Sequence, residues 1–318
     1  MAADSNVTYI HLDGFVEMQK YRYVYFVIMF TAYLLIIFSN ITIVVVVLLH
    51  QNLHQPMYIF IAALLLNSVL LSTNIYPKLL VDFLSKKQII SYPGCLLQCY
   101  LYYSLSSSEF LLLAVMAYDR YVSICKPLQY PVIMRRTVVF LLLVFAWVLP
   151  LCQIVVPLLI NYHRKLCTFR LKGFFCNNTM NYLYCVSSRI LFIYGTVALV
   201  DLVVVPMLFI IFTYANILII SCRSSKSVRS KATNTCLPHL LVLINYSCLI
   251  IYDITIVKLD GEFDRTARFL ISLQTLVYNP LFNPIIYGLK MKEINQALKR
   301  LVHLLGKIES RLGRLATR

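Results

Sequence analysis

The sequence predicts an all-α membrane protein, a bundle of seven transmembrane helices followed by a short amphipathic C-terminal helix. Of its 318 residues 60% are hydrophobic and 13% charged, with a mean hydropathy of +0.76. That leaves too few polar side chains to cover a soluble domain of this size. Seven apolar runs, roughly 23–49, 56–83, 95–123, 137–160, 190–221, 236–257 and 267–289, each reach about 20 residues, enough to cross a hydrocarbon core of about 30 Å. The runs lack strand-like alternation, and backbone left unpaired in lipid is not tolerated, so they are read as helices. The organisation expected is an extracellular tail over 1–22, the bundle over 23–289, and a cytoplasmic amphipathic helix and tail over 290–318.

The formal charge of +16 does not point to nucleic acid, because it is divided between the two ends of the bundle. An odd number of spans puts the termini on opposite sides. With the C-terminus inside, 16 Lys and Arg fall inside and 13 outside, so the basic count scarcely decides orientation. Eight Asp and Glu then fall outside and three inside, but acidic residues weigh little in that rule. The first apolar run follows a 22-residue polar tail and is too long for a cleavable leader, so it is read as an uncleaved first span.

The tail carries Asn6-Val7-Thr8, a glycosylation sequon that, if used, places the N-terminus outside. Asn40, alone among aliphatics in the first run, must face other helices, with structural glue as its role. Pro56 opens the second run as a first-turn proline does. In the third run Tyr102, Ser106, Glu109, Leu113, Met116 and Arg120 share one helical face. Glu109 lies roughly 16 Å along the axis from Arg120. If Arg120 marks the membrane boundary, Glu109 sits near the bilayer middle. A protonated Glu109 hydrogen-bonded to Ser106, Ser107 and Ser108 is preferred over a bound sodium ion.

Cys95 opens the third run, and Cys167, Cys176 and Cys185 lie nine apart in the long loop before the fifth. Extracellular disulfides would tie that loop down, though spacing does not give their connectivity and Cys99 competes with Cys95. Asp201 in the fifth run is read either as a functional group or as a protonated packing residue. The segment Arg223 to Lys231 is a short basic loop. In the seventh run Pro280 and Pro284 each remove a helical hydrogen bond, and the stripe Asn279, Asn283 and Tyr287 is expected to re-pair the freed carbonyls. Beyond it, Lys290 to Leu305 reads as a basic amphipathic helix suited to an anionic inner leaflet.

Four stretches in order carry a resemblance: LHQPMY from Leu53, MAYDRYVSICKPLQY from Met116, KATNTCLPHL from Lys231, and the Asn-Pro-x-x-Tyr ending at Tyr287. Together the chain resembles the olfactory receptors among the rhodopsin-like G-protein-coupled receptors. It departs at Ser68, where the family usually has Asp, and at Pro238, where it has a small residue. Ile75 to Leu80 and Tyr92 to Cys95 look closer to aquatic-vertebrate members, which would imply water-soluble odorants. The resemblance implies the pairs Cys95–Cys176 and Cys167–Cys185. It implies an odorant pocket in the outer half of the bundle, lined by Tyr102, Tyr103, Ser106, Ser107, Leu199, Leu202, Ser247, Ile250, Ile251, Leu273 and Leu276. It also implies a switch at the inner end built from Asp119, Arg120, Tyr121, Tyr214, His239, Asn283, Pro284 and Tyr287. The plain reading of Asp119 and Arg120 is an interfacial charge pair, and that of the pocket residues is helix packing.

No phosphate loop, nucleophile elbow or metal-spaced cluster occurs, so no enzyme and no cofactor are expected. Scattered polar groups without repeated halves do not suit a transporter. The function expected is odorant binding with activation of the olfactory stimulatory G protein and a rise in cyclic AMP, at the plasma membrane of sensory cilia. The alternative is a rhodopsin-like receptor for a non-odorant small molecule.

Overall fold

The computed structural model describes residues 8–222, 236–237, 239–248, 251, 265–301 and 303. Asn6, Pro238, Ile250 and the basic loop from Arg223 lie outside the described residues. Among the described residues six helices are long and apolar enough to span a membrane, and a shorter apolar helix, His239–Cys248, falls in the sixth apolar run. Helices α1 (Met18–Leu49), α2 (Pro56–Leu84) and α3 (Tyr92–Cys125) form spans one to three. A one-turn helix α4 (Tyr130–Ile133) follows, then span four, α5 (Arg136–Tyr162). Span five is α6 (Arg189–Leu199) and α7 (Val205–Cys222) joined by a π-turn, Val200–Val204. His239–Cys248 is α8 in span six, and α9 (Arg265–Lys290) is span seven. The fold is the seven-helix bundle that the apolar runs predict, and residues 292–301 continue as a helix whose Ile294 and Ala297 are buried.

Span three is the axle, packing against spans two, four and five, while span one packs against two and seven. Buried side chains divide into two clusters. One, around Phe110, Met116, Tyr214 and Tyr287, lies toward the Arg120 end. The other, around Phe83, Cys95, Phe174 and Phe269, lies toward the N-terminal end.

That N-terminal end is closed by structure the tail's composition did not foreshadow. Strand β1 (Tyr9–Leu12) pairs antiparallel with β2 (Ile89–Ser91) and parallel with β3 (Arg170–Leu171). Along β1 exposure alternates, with Ile10 and Leu12 turned onto the bundle. Phe15 then enters an aromatic cluster, 5.7 Å from Phe83 and 6.0 Å from both Phe174 and Phe269. Gly14 permits this closeness, since a β-carbon there would fall 2.4 Å from the Gly173 carbonyl carbon. Disulfides Cys95–Cys176 (Cα–Cα 5.4 Å) and Cys167–Cys185 (4.8 Å) fasten the long loop beneath the sheet, leaving Cys99 outside both bridges.

Prolines inside the spans leave carbonyls without their helical donors, and for three of these carbonyls a neighbouring helix supplies a replacement. Pro284 frees the Pro280 carbonyl, which accepts from Asn40 Nδ2 at 2.9 Å. Pro280 frees the Leu276 carbonyl, which accepts from Tyr76 Oη at 3.3 Å. Pro157 frees the Gln153 carbonyl, taken by Tyr194 Oη at 2.8 Å. The stripe in span seven therefore does not repair its own prolines as expected, because spans one and two do so. Asn40 is the glue anticipated for it, and its partner is now identified. Replacing Asn40 with Leu should lower stability by about 1–2 kcal/mol through the orphaned carbonyl. Thermal unfolding of the purified chain measures this, and an unchanged transition would contradict the repair.

Candidate ligand and switch site

At mid-bundle, Glu109 is fully buried and its carboxyl is held from span seven. Asn279 Nδ2 donates to Oε1 and Oε2 at 3.2 and 3.1 Å, and Asn283 Nδ2 donates to Oε1 at 3.1 Å. Asn283 also reaches Ser68 Oγ at 3.3 Å. These bonds supply what a buried carboxyl requires. They correct the expectation of serine partners: Ser108 Oγ donates instead to the Ser104 carbonyl at 2.9 Å. Ser68 takes part as a hydroxyl. The Oδ1 atoms of Asn279 and Asn283 are buried with no partner among the described residues.

Above this node a cavity of ≈ 40 Å³ lies between spans two, three, six and seven. Its walls include Ser72, Ile75 and Tyr76 from span two, Tyr102 and Ser106 from span three, Tyr246 from span six, and Thr275, Leu276 and Asn279 from span seven. The Tyr246 hydroxyl donates to the Ser106 carbonyl at 2.8 Å, joining spans three and six across it. Of the residues expected to line a pocket, Tyr102, Ser106 and Leu276 meet here. Tyr103 packs edge-on to Tyr102, and its hydroxyl accepts from the Asn178 N–H at 2.9 Å. Ser107 is buried nearby, Leu202 belongs to the Arg120-side cluster, and Leu273 to the N-terminal-side cluster. Ser247 Oγ reaches Met207 Sδ at 3.8 Å. Leu199 and Ile251 face outward, 37% and 63% exposed. Sequence reasoning missed Tyr76, Tyr246 and Thr275. The only available signal was that Tyr246, like Tyr102, is a hydroxyl-bearing ring inside an apolar run.

At the other end of span three, Arg120 folds back on its neighbour. Its Nε and Nη2 both donate to Asp119 Oδ2, the first at 3.0 Å. The second oxygen, Oδ1, accepts from Tyr130 Oη in α4 at 2.8 Å. Asp119 is fully buried, so the two donors hold a charge that would be costly alone. Burial, and then the Asp119 carboxylate beside it, raise the Tyr130 phenol above its ordinary range, which keeps it a donor. Across the bundle the Tyr287 hydroxyl meets His239 Nδ1 at 3.3 Å. Tyr214 Oη and His239 Nε2 are buried with no partner among the described residues. Tyr121 packs partly buried on the same cluster, and Pro284 is buried one turn before Tyr287. Of the residues expected in the switch, Asn283 belongs to the mid-bundle node with Glu109, while Asp119, Arg120, Tyr121, Tyr214, His239 and Tyr287 lie toward this end.

A seven-helix bundle with this arrangement has close relatives in sequence. A family model described as olfactory receptor matches residues 29–305. Human olfactory receptor 2K2 is 35% identical over 301 residues, covering 93% of this chain and 93% of its own. Human olfactory receptor 11A1 is 33% identical over 303 residues, covering 94% and 95%. Mouse olfactory receptor 4B13 is 31% identical over 303 residues, covering 94% and 97%. The family is one of G-protein-coupled receptors and not of enzymes, and to it, the olfactory receptor family, this chain belongs.

Proposed function

We propose that the chain senses a small odorant in the cavity above Glu109 and passes its occupancy to a G protein at the Arg120 end. The disulfide-bonded end with the N-terminus is then extracellular, which agrees with where disulfides persist. The Arg120 end is cytoplasmic, at the plasma membrane of a sensory cilium. The residues 1–22, 23–289 and 290–318 serve as outer tail, bundle, and inner helix with tail. The partner is the olfactory stimulatory G protein, and cyclic AMP is the output.

One observation carries this reading: Asn279 is at once a wall of the cavity and a donor to Glu109. Glu109 is bonded to Asn283, and Asn283 lies one turn from Tyr287 and its contact with His239. A molecule pressing on the cavity therefore acts on the hydrogen bonds that hold span seven to span three. The exposed wall surface is mostly apolar, with hydroxyl-bearing side chains from Ser72, Tyr76, Tyr102, Ser106, Tyr246 and Thr275, which suits a small apolar molecule with one polar group. At ≈ 40 Å³ the cavity is much smaller than the roughly 300 Å³ and above of ordinary ligand sites. Binding must therefore favour an arrangement in which spans six and seven stand further from span three. The ligand shifts that equilibrium only by its preference for the wider state. As the inner ends part, Arg120 leaves Asp119, and the buried Tyr214 hydroxyl gains a donor.

A cyclic-AMP reporter screen against an odorant panel should yield an agonist whose response is abolished by Arg120→Ala. A response that survives without any G protein would overturn the mechanism. With that agonist and its analogues, Ser106→Ala and Tyr102→Phe should reorder the ranking of potencies, and an unaltered ranking would remove both residues from the site. Asp119→Asn weakens the hold on Arg120 and should raise agonist-free cyclic AMP by roughly two- to tenfold, the scale of about 1 kcal/mol. A baseline equal to that of the unmodified receptor, at equal surface expression, would contradict a locking role.

A further inference from the structure

Asp201 belongs neither to the cavity nor to the switch. It lies roughly 18 Å along the axis from Arg189, in the middle of the fifth span. There it is exposed on the outside of the bundle, flanked by exposed Val197, Val200 and Val205. A carboxyl facing hydrocarbon at that depth costs about 2.5–3.5 kcal/mol on insertion scales. Its presentation is built into the backbone: Pro206 has no N–H and its ring crowds the preceding carbonyls. The turn before it opens into the π-turn Val200–Val204, with the Val205 N–H reaching back to the Val200 carbonyl.

Among the described residues Asp201 bonds only to Gln153 of span four, whose Nε2 donates to Oδ2 at 3.4 Å. The position of Gln153 is itself fixed, because Tyr194 of span five occupies its carbonyl. One amide at that distance leaves much of the pair's capacity unused. Gln153 keeps a second N–H and its Oε1, and Asp201 keeps Oδ1.

We propose that this face of spans four and five is where two copies of the chain meet, Gln153 of each donating to Asp201 of the other. The pair is self-complementary, since one patch carries the half-buried donor Gln153 and the exposed acceptor Asp201 side by side. A two-fold axis along the membrane normal keeps depth unchanged, so each amide meets its opposite carboxyl at the same level. An unrelated helix would need its own matched pair at that depth, whereas a second copy brings one by symmetry. The ring of two amides and two carboxyls then satisfies groups that lipid cannot, around which the exposed valines pack.

The test uses full-length receptor reconstituted in lipid vesicles, with energy transfer between donor- and acceptor-labelled copies measured against protein-to-lipid ratio. Gln153→Glu is nearly isosteric and sets carboxyl against carboxyl. It should weaken self-association roughly tenfold or more, the scale of two interhelical hydrogen bonds. Asp201→Asn keeps an acceptor and should associate as the unmodified chain does. Mixing Gln153→Glu copies with Asp201→Asn copies sets amide against carboxyl at both contacts and should return association to the unmodified level. If Gln153→Glu does not give a monodisperse receptor in detergent, Gln153→Leu and Asp201→Leu replace the pair, each weak alone and stronger when mixed. Undiminished self-association of Gln153→Glu, or no recovery on mixing, overturns the proposal, including the case in which Asp201 serves only its own Gln153.

Discussion

The structure turns on one buried carboxyl. Glu109, in the helix that touches most others, takes three amide contacts from Asn279 and Asn283. Those two asparagines each precede a proline, at the place where span seven cannot keep its own hydrogen bonds. Span seven is thus weakest as a helix where it is most firmly attached to span three. A helix interrupted in this way can take two arrangements at small cost, provided its freed groups keep partners in both. Asn40 and Tyr76 hold the freed carbonyls from the far side, so the segment is clasped between spans one and two behind and span three in front.

The rest of the site follows from that clasp. In the proposed function the cavity reports to Asn279 because the same residue forms its wall and holds Glu109. The proposed response of the inner end runs through Tyr287, one turn beyond Asn283 on the same helix. Asp119 and Arg120 close the opposite end of span three with a pair whose buried carboxylate needs both Arg120 and Tyr130. Removing either donor leaves charge in a place that does not tolerate it, so the closed state is defined by polar bookkeeping more than by shape.

Much of the fold was legible because lipid imposes a length and an internal hydrogen-bond rule. The seven runs, the buried face of span three and the inward position of Glu109 follow from periodicity and from the cost of polar groups in hydrocarbon. Both disulfides follow the family resemblance, and spacing alone left them open. Other features depend on residues distant in sequence and so were not readable locally. The tail's strand pairs with segments near Ser91 and Arg170, and only that pairing gives its four residues a shape. Glu109 has three adjacent serines and uses none, because its partners come from a helix 170 residues on. The cavity leans toward span two, where no sequence motif stands out, so Tyr76, Tyr246 and Thr275 went unnoticed. Asp201 was recognised as unusual, but its outward direction is set by the π-turn, which a helical periodicity does not contain.

The claim most open to direct contradiction is that Glu109 and Asn283 act as one unit. Thermal stability of purified receptor carrying Glu109→Leu, Asn283→Leu, and both together forms a double-mutant cycle across the bond. The two changes should be strongly non-additive, with a coupling of about 1–3 kcal/mol, because either one already orphans the other's polar group. Strict additivity would show that the bond between spans three and seven does not govern the fold, and the coupling route from cavity to cytoplasmic end would fall with it.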